Sequence, residues 1–406
     1  MITQSTFLTG SELYLKPILM RFHKKCFFIL LLLPILSQAQ TLSNKAEISV
    51  LTMDSDQVEV FTAFGHSAIR VSDEASGFDQ IYNYGVFDFN QPNFYLNFAL
   101  GKLYYRLGLH HYDSFRDAYT RENRTIIQQV FNLDSAERQH LFDYLQWNAQ
   151  PENQYYYYNY IYDNCATRIR DVLDIVFQNR TVYDFSFVKE KLSFRDLMDL
   201  YLGYQPWGDF GIDLCLGLGI DKEASGYHYM FLPDYIEKAF DAAIVRTTTG
   251  QKPLIKETIV TYQAVPEVFK ETTVTPTIVF LLVFFVFGFI SFKDLKANRR
   301  SNWIDLLLFS TAGIIGWLLL FLWFFTEHIS QYNFNLLWAL PFHLPIALLL
   351  LKSVKPKFLK PYFLASTILL GILIAFWGFW PQNLHDSLIP FALLLLIRGV
   401  IIYRNI

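Results

Sequence analysis

Apolar and polar positions follow two regimes along this chain, one alternating and one continuous. Up to about residue 250 the apolar runs are short. Ile48-Ser49-Val50-Leu51-Thr52-Met53, 68–71 and 81–89 have strand composition and period, with 72–80 a turn-rich link between the last two. Helical spacing occupies 94–100, 135–148 and 165–177. In the last of these, Ile169, Val172, Leu173 and Val176 share one face and predict a helix packed on a core. Strands followed by a central helix predict an α+β domain. Residues 243–245 and 255–262, on either side of Thr247-Thr248-Thr249-Gly250, predict a closing hairpin.

From Pro276 the pattern becomes continuously apolar in five stretches, 276–292, 306–325, 336–351, 361–380 and 388–403, each near the length that crosses a bilayer. They predict an all-α bundle of five transmembrane helices. Lys293, Lys296, Arg299 and Arg300 follow the first stretch, and Lys352, Lys355, Lys357 and Lys360 the third. The loops 326–335 and 382–387 contain no Lys or Arg. Positive loops stay in the cytoplasm, so the N-terminal domain is expected outside it. Trp303, Trp338, Trp377 and Trp380 near stretch ends fit interfacial anchoring.

The N-terminus agrees with that orientation. Arg21, Lys24 and Lys25 precede an apolar run over 27–36 and then Ser37-Gln38-Ala39-Gln40, the layout of a secretory signal cleaved after Ala39, with Met20 as the start. A retained anchor is the alternative. The expected organisation is a leader and signal over 1–40, an exported domain over 41–265, a linker over 266–275 and the membrane domain over 276–406. With 52% hydrophobic and 17% charged residues, the whole is too apolar for an ordinary soluble protein. A net charge of −3 without a basic stripe argues against a nucleic-acid partner.

Three cysteines occur, and Cys26 lies in the signal, leaving Cys165 and Cys215. In an exported domain they either bridge each other or leave a functional thiol. Cys165 follows Asn164, a helix-capping residue, and opens the helical pattern on its apolar side. Unpaired N–H groups and the dipole at a helix start favour thiolate over thiol. About a hundred residues earlier, His66 in Phe64-Gly65-His66-Ser67-Ala68-Ile69-Arg70 opens a strand. A strand histidine facing a helix-terminal cysteine is a nucleophile–base dyad. Taken singly, the histidine has a structural alternative as a hydrogen-bonded core group and the cysteine as a small hydrophobe. Asn83 and Tyr82 alternate on the following strand, so only one can face His66; Asn83 suits the role of fixing the imidazole tautomer, and Tyr82 is a candidate substrate contact. Arg168 is a candidate phosphate contact. His328 and Trp338, at the non-cytoplasmic ends of the apolar stretches, are candidates for lipid contact. Tyr155–Tyr162 has six tyrosines in eight residues, suited either to a surface near headgroups or to a buried strand beside the site.

His66 in its segment, Tyr82-Asn83-Tyr84-Gly85-Val86-Phe87-Asp88-Phe89, Asp163-Asn164-Cys165-Ala166-Thr167-Arg168 and Met230-Phe231-Leu232-Pro233 together resemble the Lnb family of lipoprotein N-acyltransferases of Bacteroidota. Asn335-Leu336-Leu337-Trp338 and the apolar stretches resemble that family's membrane part. The order, histidine before an Asn-Cys helix start, is similar to permuted papain-like folds of the NlpC/P60 and lecithin:retinol acyltransferase-like type. The resemblance implies acyl transfer from a phospholipid, through a Cys165 thioester, to the N-terminal amine of a lipidated cysteine in a lipoprotein. It places the enzyme in the bacterial inner membrane with the thiol domain in the periplasm. Alternatives are a papain-like hydrolase of cell-wall peptide or lipid, and a non-catalytic membrane protein that binds lipid or a partner. No Gly-rich phosphate loop, H-E-x-x-H or Cys-x-x-Cys occurs, so no metal or other cofactor is expected.

Overall fold

The computed structural model describes residues 40–406, so the expected leader and signal lie outside the described residues. Strands β1 (Glu47–Met53), β2 (His66–Asp73) and β3 (Phe78–Val86) form an antiparallel meander. After α1 (Phe94–Ala99) come β4 (Tyr104–His111), α2 (Tyr112–Arg121), β5 (Ile126–Phe131), α3 (Ser135–Asn148), β6 (Tyr155–Tyr157) and α4 (Cys165–Val176). Strand β7 (Thr181–Val182), helices α5 (Phe194–Asp199), α6 (Pro206–Cys215), α7 (Gly226–Tyr229) and α8 (Pro233–Asp241), and strands β8 (Ile244–Thr247), β9 (Gly250–Pro253) and β10 (Ile255–Tyr262) complete the domain.

Seven strands pair antiparallel in the order β10-β5-β1-β2-β3-β4-β6, and β7-β8-β9 form a small second sheet. Alternation along the strands gives the large sheet two buried faces. Ile48, Val50, Ile69, Val71, Tyr82 and Tyr84 pack with α4, while Leu51, Met53, Ala68 and Ile81 pack with Tyr112 and Phe115 of α2. Fully burying a Val, Leu, Ile or Met side chain contributes about 1.5–3 kcal/mol. The hairpin expected between 243–245 and 255–262 forms differently: β8 pairs with β9, and β10 leaves to pair with β5. The turn closes at Thr248 and Thr249, so the chain beyond Leu254 is free to extend the main sheet.

The C-terminal part comprises α9 (Pro276–Lys296), α10 (Asn302–Phe325), α11 (His343–Leu349), α12 (Leu359–Ala375) and α13 (Ile389–Asn405). Among the described residues, three helical segments are long and apolar enough to cross a membrane: Pro276–Lys296, Asn302–Phe325 and Asp386–Asn405. Helix α12 is apolar and shorter. The third expected stretch is no single helix but a 3₁₀ turn at Phe334–Leu337 followed by α11. Pro341, between the two pieces, lacks the N–H that helical continuation needs. The broken segment fits against the small residues of α10: a Cβ at Gly313 would stand 2.2 Å from Leu344 N, and one at Gly316 2.0 Å from Ala339 O.

At the Lys/Arg-rich end, buried Arg398 joins three helices, donating from Nη1 to Asp294 (2.8 Å), from Nε to Asp305 (2.6 Å) and from Nη2 to the Ser301 carbonyl (3.2 Å). The Arg300 guanidinium reaches the Leu350 carbonyl there, at 3.3 Å. The loops without Lys or Arg lie at the other end, against the sheet domain. Gly217 and Leu218 donate to Ile329 and Gln331 carbonyls (2.9 and 3.1 Å). Asn333, Asn335 and Gln382 side chains donate to Leu214, Asp213 and Leu216 carbonyls (2.8, 3.0 and 3.0 Å). Buried polar side chains with well-made hydrogen bonds fix orientation as well as proximity.

Candidate active site

Cys165 is the first residue of α4, and the helix start is closed around it. The Asn164 side-chain oxygen accepts from the N–H groups of Ala166 and Thr167, both at 3.0 Å, and Thr167 Oγ1 accepts from Asn164 N at 2.7 Å. The Asn164 amide donates to the carbonyls of Tyr160 (3.0 Å) and Phe231 (2.7 Å). The Met230-Phe231-Leu232-Pro233 segment thus serves the site through one carbonyl, which no pattern of side chains reveals. The N–H of Cys165 stays outside the cap, beside its own thiol.

His66 enters β2 opposite Met53. Continuing the β2–β3 register from Ile69 opposite Tyr82 sets Asn83 opposite Ala68, on the face that carries His66. The contact follows: His66 Nε2 lies 2.6 Å from Asn83 Oδ1. This bond occupies Nε2 and leaves Nδ1 as the ring nitrogen available to Cys165. Tyr119 of α2 stacks parallel to the imidazole at 6.3 Å.

Burial pushes the Cys165 thiol up. The adjacent His66, the hydrogen bond to its ring, and the N–H groups of Ser67 and Ala166 outweigh this and hold the thiol below its ordinary value. Burial likewise pulls His66 down, but the neighbouring Cys165 charge and the bonds to Cys165 and Asn83 overcome it and leave the ring above its ordinary value, against an opposing push from Arg124. Both shifts run toward the form with thiolate beside imidazolium. Cys215 is a free thiol too, so the two are not bridged, and burial pushes Cys215 up.

The other candidates lie elsewhere. Tyr82 is fully buried on the opposite side of β3 from Asn83, with its hydroxyl unpartnered. Arg168 is bound to Asp163 (Nη2 to Oδ2, 2.6 Å), with its guanidinium 4.1 Å above the Tyr156 ring. Trp338 is buried in the helical bundle and donates to Asn335 Oδ1 at 2.8 Å. His328 sits in the loop after α10, against the Ala99 and Phe98 carbonyls. The tyrosine-rich segment divides by alternation: Tyr157 is exposed and Tyr156 buried. Tyr158 faces Gly85, in a bulged stretch of β3. Gly85 has φ +87°, and a Cβ there would stand 3.3 Å from the Tyr158 ring and 3.9 Å from Cys165 Cβ. Composition alone does not single out Gly85 or Tyr158, because the bulge that brings them to the thiol is a matter of register.

Residues 39–198 match the family model described as the Lnb N-terminal periplasmic domain, and 268–406 match the Lnb transmembrane domain. The chain belongs to the Lnb family. Its sheet domain is accordingly periplasmic and its apolar helices lie in the membrane, which fits the inner membrane. Membership points to a membrane enzyme that modifies lipoproteins. No curated protein and no solved structure matches the chain significantly.

Proposed function

We propose that this Lnb protein is a thiol acyltransferase that takes an acyl chain from a phospholipid onto Cys165 and passes it to the N-terminal amine of a lipoprotein's lipidated cysteine. The observation that carries it is the thiol at a capped helix start beside a histidine held by Asn83, in a domain hydrogen-bonded to the loops of apolar helices. A hydrolase of soluble peptides needs no such attachment, whereas an enzyme with two membrane-held substrates does.

In the first half-reaction the Cys165 thiolate attacks the glycerol ester carbonyl. The oxyanion that forms is within reach of the Cys165 N–H, which the cap leaves uncommitted. Collapse breaks the ester C–O bond, and the His66 imidazolium protonates the departing glycerol oxygen, releasing lysophospholipid. In the second half the acceptor amine attacks the thioester, His66 takes the amine proton, and the C–S bond breaks to give the amide and restore Cys165. Asn83 keeps the imidazole oriented through both halves. Arg168, Tyr82 and Trp338 take no part in these steps, being committed to an ion pair or to packed interiors.

The same proposal includes a permuted papain-like domain and five membrane passes. Support for the first is the chain order of strand histidine, strand asparagine and capped helical cysteine. Support for the second is the path of the broken third segment, from Gln331 at the domain to Leu350 beside Arg300 at the opposite end. Mass spectrometry of lipoprotein N-termini from cells with and without the protein tests the function. The expected result is loss of the amide-linked chain without the protein, and unchanged N-termini refute it.

A further inference from the structure

Helix α1 buries none of its residues and has no charged group in its first or last turn. Tyr95, Leu96 and Phe98 are 79%, 59% and 48% exposed, an unusual outlay of apolar surface for one short helix. Its position explains what covers it. The Leu100 carbonyl accepts from Glu327 N at 2.8 Å, and the His328 ring meets the carbonyls of Ala99 and Phe98. Gly101 lies so close beneath this loop that a Cβ would stand 2.7 Å from His328 N. Glu327 and His328 follow directly on α10, whose last residues, Phe324 and Phe325, are themselves exposed. The helix is thus held at the level where an apolar helix of membrane-crossing length ends, the depth of lipid headgroups and upper acyl chains.

From α1 a row of rings leads inward. Phe94 meets Phe89 at 4.8 Å, Phe89 meets Phe87 at 5.9 Å, Phe87 meets Tyr105 at 4.6 Å, and Tyr105 meets Tyr158 at 4.7 Å. Tyr158 stands at Gly85, next to Cys165. Exposed at Phe89 and buried at Tyr105, the rings form one apolar row between the α1 end and the thiol.

We propose that α1 is seated in the outer lipid monolayer and that the aromatic row from Phe94 to Tyr158 leads a phospholipid acyl chain to Cys165. The seating stands on geometry alone, and the acyl path rests on the acyltransferase reading above. An uncharged face whose C-cap carbonyl is hydrogen-bonded to the loop directly after α10 suits lipid better than a protein partner.

Two measurements on the full chain test it. In a background with Cys26, Cys165 and Cys215 replaced by Ala, a fluorophore at Leu96→Cys in nanodiscs of phosphatidylethanolamine and phosphatidylglycerol should be quenched by phospholipid with a shallow nitroxide. The same fluorophore at Glu74→Cys, at the far end of β2, should not be. Equal insensitivity at both positions overturns the seating, and a signal at Leu96 that depends on protein concentration assigns the face to a second copy and also overturns it. In the native-cysteine background, the combined Tyr95→Ser, Leu96→Ser, Phe98→Ser variant should transfer acyl groups from bilayer phospholipid at least ~10-fold more slowly, with iodoacetamide alkylation of Cys165 unchanged. Undiminished transfer overturns the acyl path. Absence of transfer in the parent protein would sink the acyltransferase reading instead, and the fluorescence would still decide the seating.

Discussion

Replacing Asn83 by Ala removes one hydrogen bond and leaves Cys165, its cap and its helix untouched. In the folded protein Asn83 Oδ1 lies 2.6 Å from His66 Nε2, and the bond raises the imidazole's affinity for a proton. A hydrogen bond to a charged group contributes roughly 1.5–3 kcal/mol. At about 1.4 kcal/mol per decade, its loss should slow Cys165 acylation about 10- to 100-fold. It should also lower the His66 pKa, because the bond favours imidazolium over imidazole. The sign fixes the pH behaviour. With less imidazolium beside it, the thiolate is less favoured, so the pH profile of Cys165 alkylation moves to higher pH. Single-turnover acylation and iodoacetamide rates across pH read both effects. Asn83→Gln, which keeps the amide but not the reach, should fall between. An Asn83→Ala protein with an unshifted alkylation profile and a rate within about twofold of the parent would refute the positioning role.

Near pH 7, alkylation should mark Cys165 well ahead of Cys215, because His66 holds the first below the ordinary thiol value of 9.0 while burial holds the second above it; peptide mapping with equal labelling would contradict this. Acidification through the lowered Cys165 value should abolish that selectivity as the thiolate is protonated. Gly85→Ala forces a side chain at φ +87° against Tyr158, costs about 1–2 kcal/mol locally, and should lower transfer about tenfold while the protein still assembles in the membrane; full activity would show that the bulge does not shape the site. Arg398→Ala removes the nearest cation from buried Asp294 and Asp305, leaving them Arg299, Arg300 and Ser301, and should destabilise the bundle by up to about 3 kcal/mol in a detergent unfolding assay, with the added changes Asp294→Leu and Asp305→Leu recovering much of the loss; a single variant as stable as the parent would argue against the Arg398 ion pairs.

Local chemistry made much of this molecule legible in the sequence. The capped start of α4 is written in Asn164, Cys165 and Thr167, and the apolar spacing of Ile169, Val172, Leu173 and Val176 identifies the face that packs on the sheet. The charge of the loops separates the two ends of the helical bundle, and the structure places the uncharged loops against the sheet domain. What stayed closed was set by register and long-range pairing. The choice between Tyr82 and Asn83 turns on a one-residue alternation that only the β2–β3 pairing fixes. Strand β5 reads weakly because nearly all its residues are buried and no alternation shows, and the aromatic row through Phe87, Tyr105 and Tyr158 spans three segments that the fold alone brings together. The third apolar stretch reads as a helix by composition, and Pro341 together with the close fit against Gly313 and Gly316 breaks it.

The most direct measurement is the mass of Cys165 itself. Purified protein is incubated with phospholipid and no acceptor, digested and analysed. Cys165 should carry one acyl chain, released by hydroxylamine and transferred intact to the amine of a lipoprotein added later, and the Cys165→Ala protein should carry none. N-acylation by Cys165→Ala at the parent rate would contradict the thioester, and rapid loss of the adduct as free fatty acid, with none reaching the amine, would make the enzyme a hydrolase.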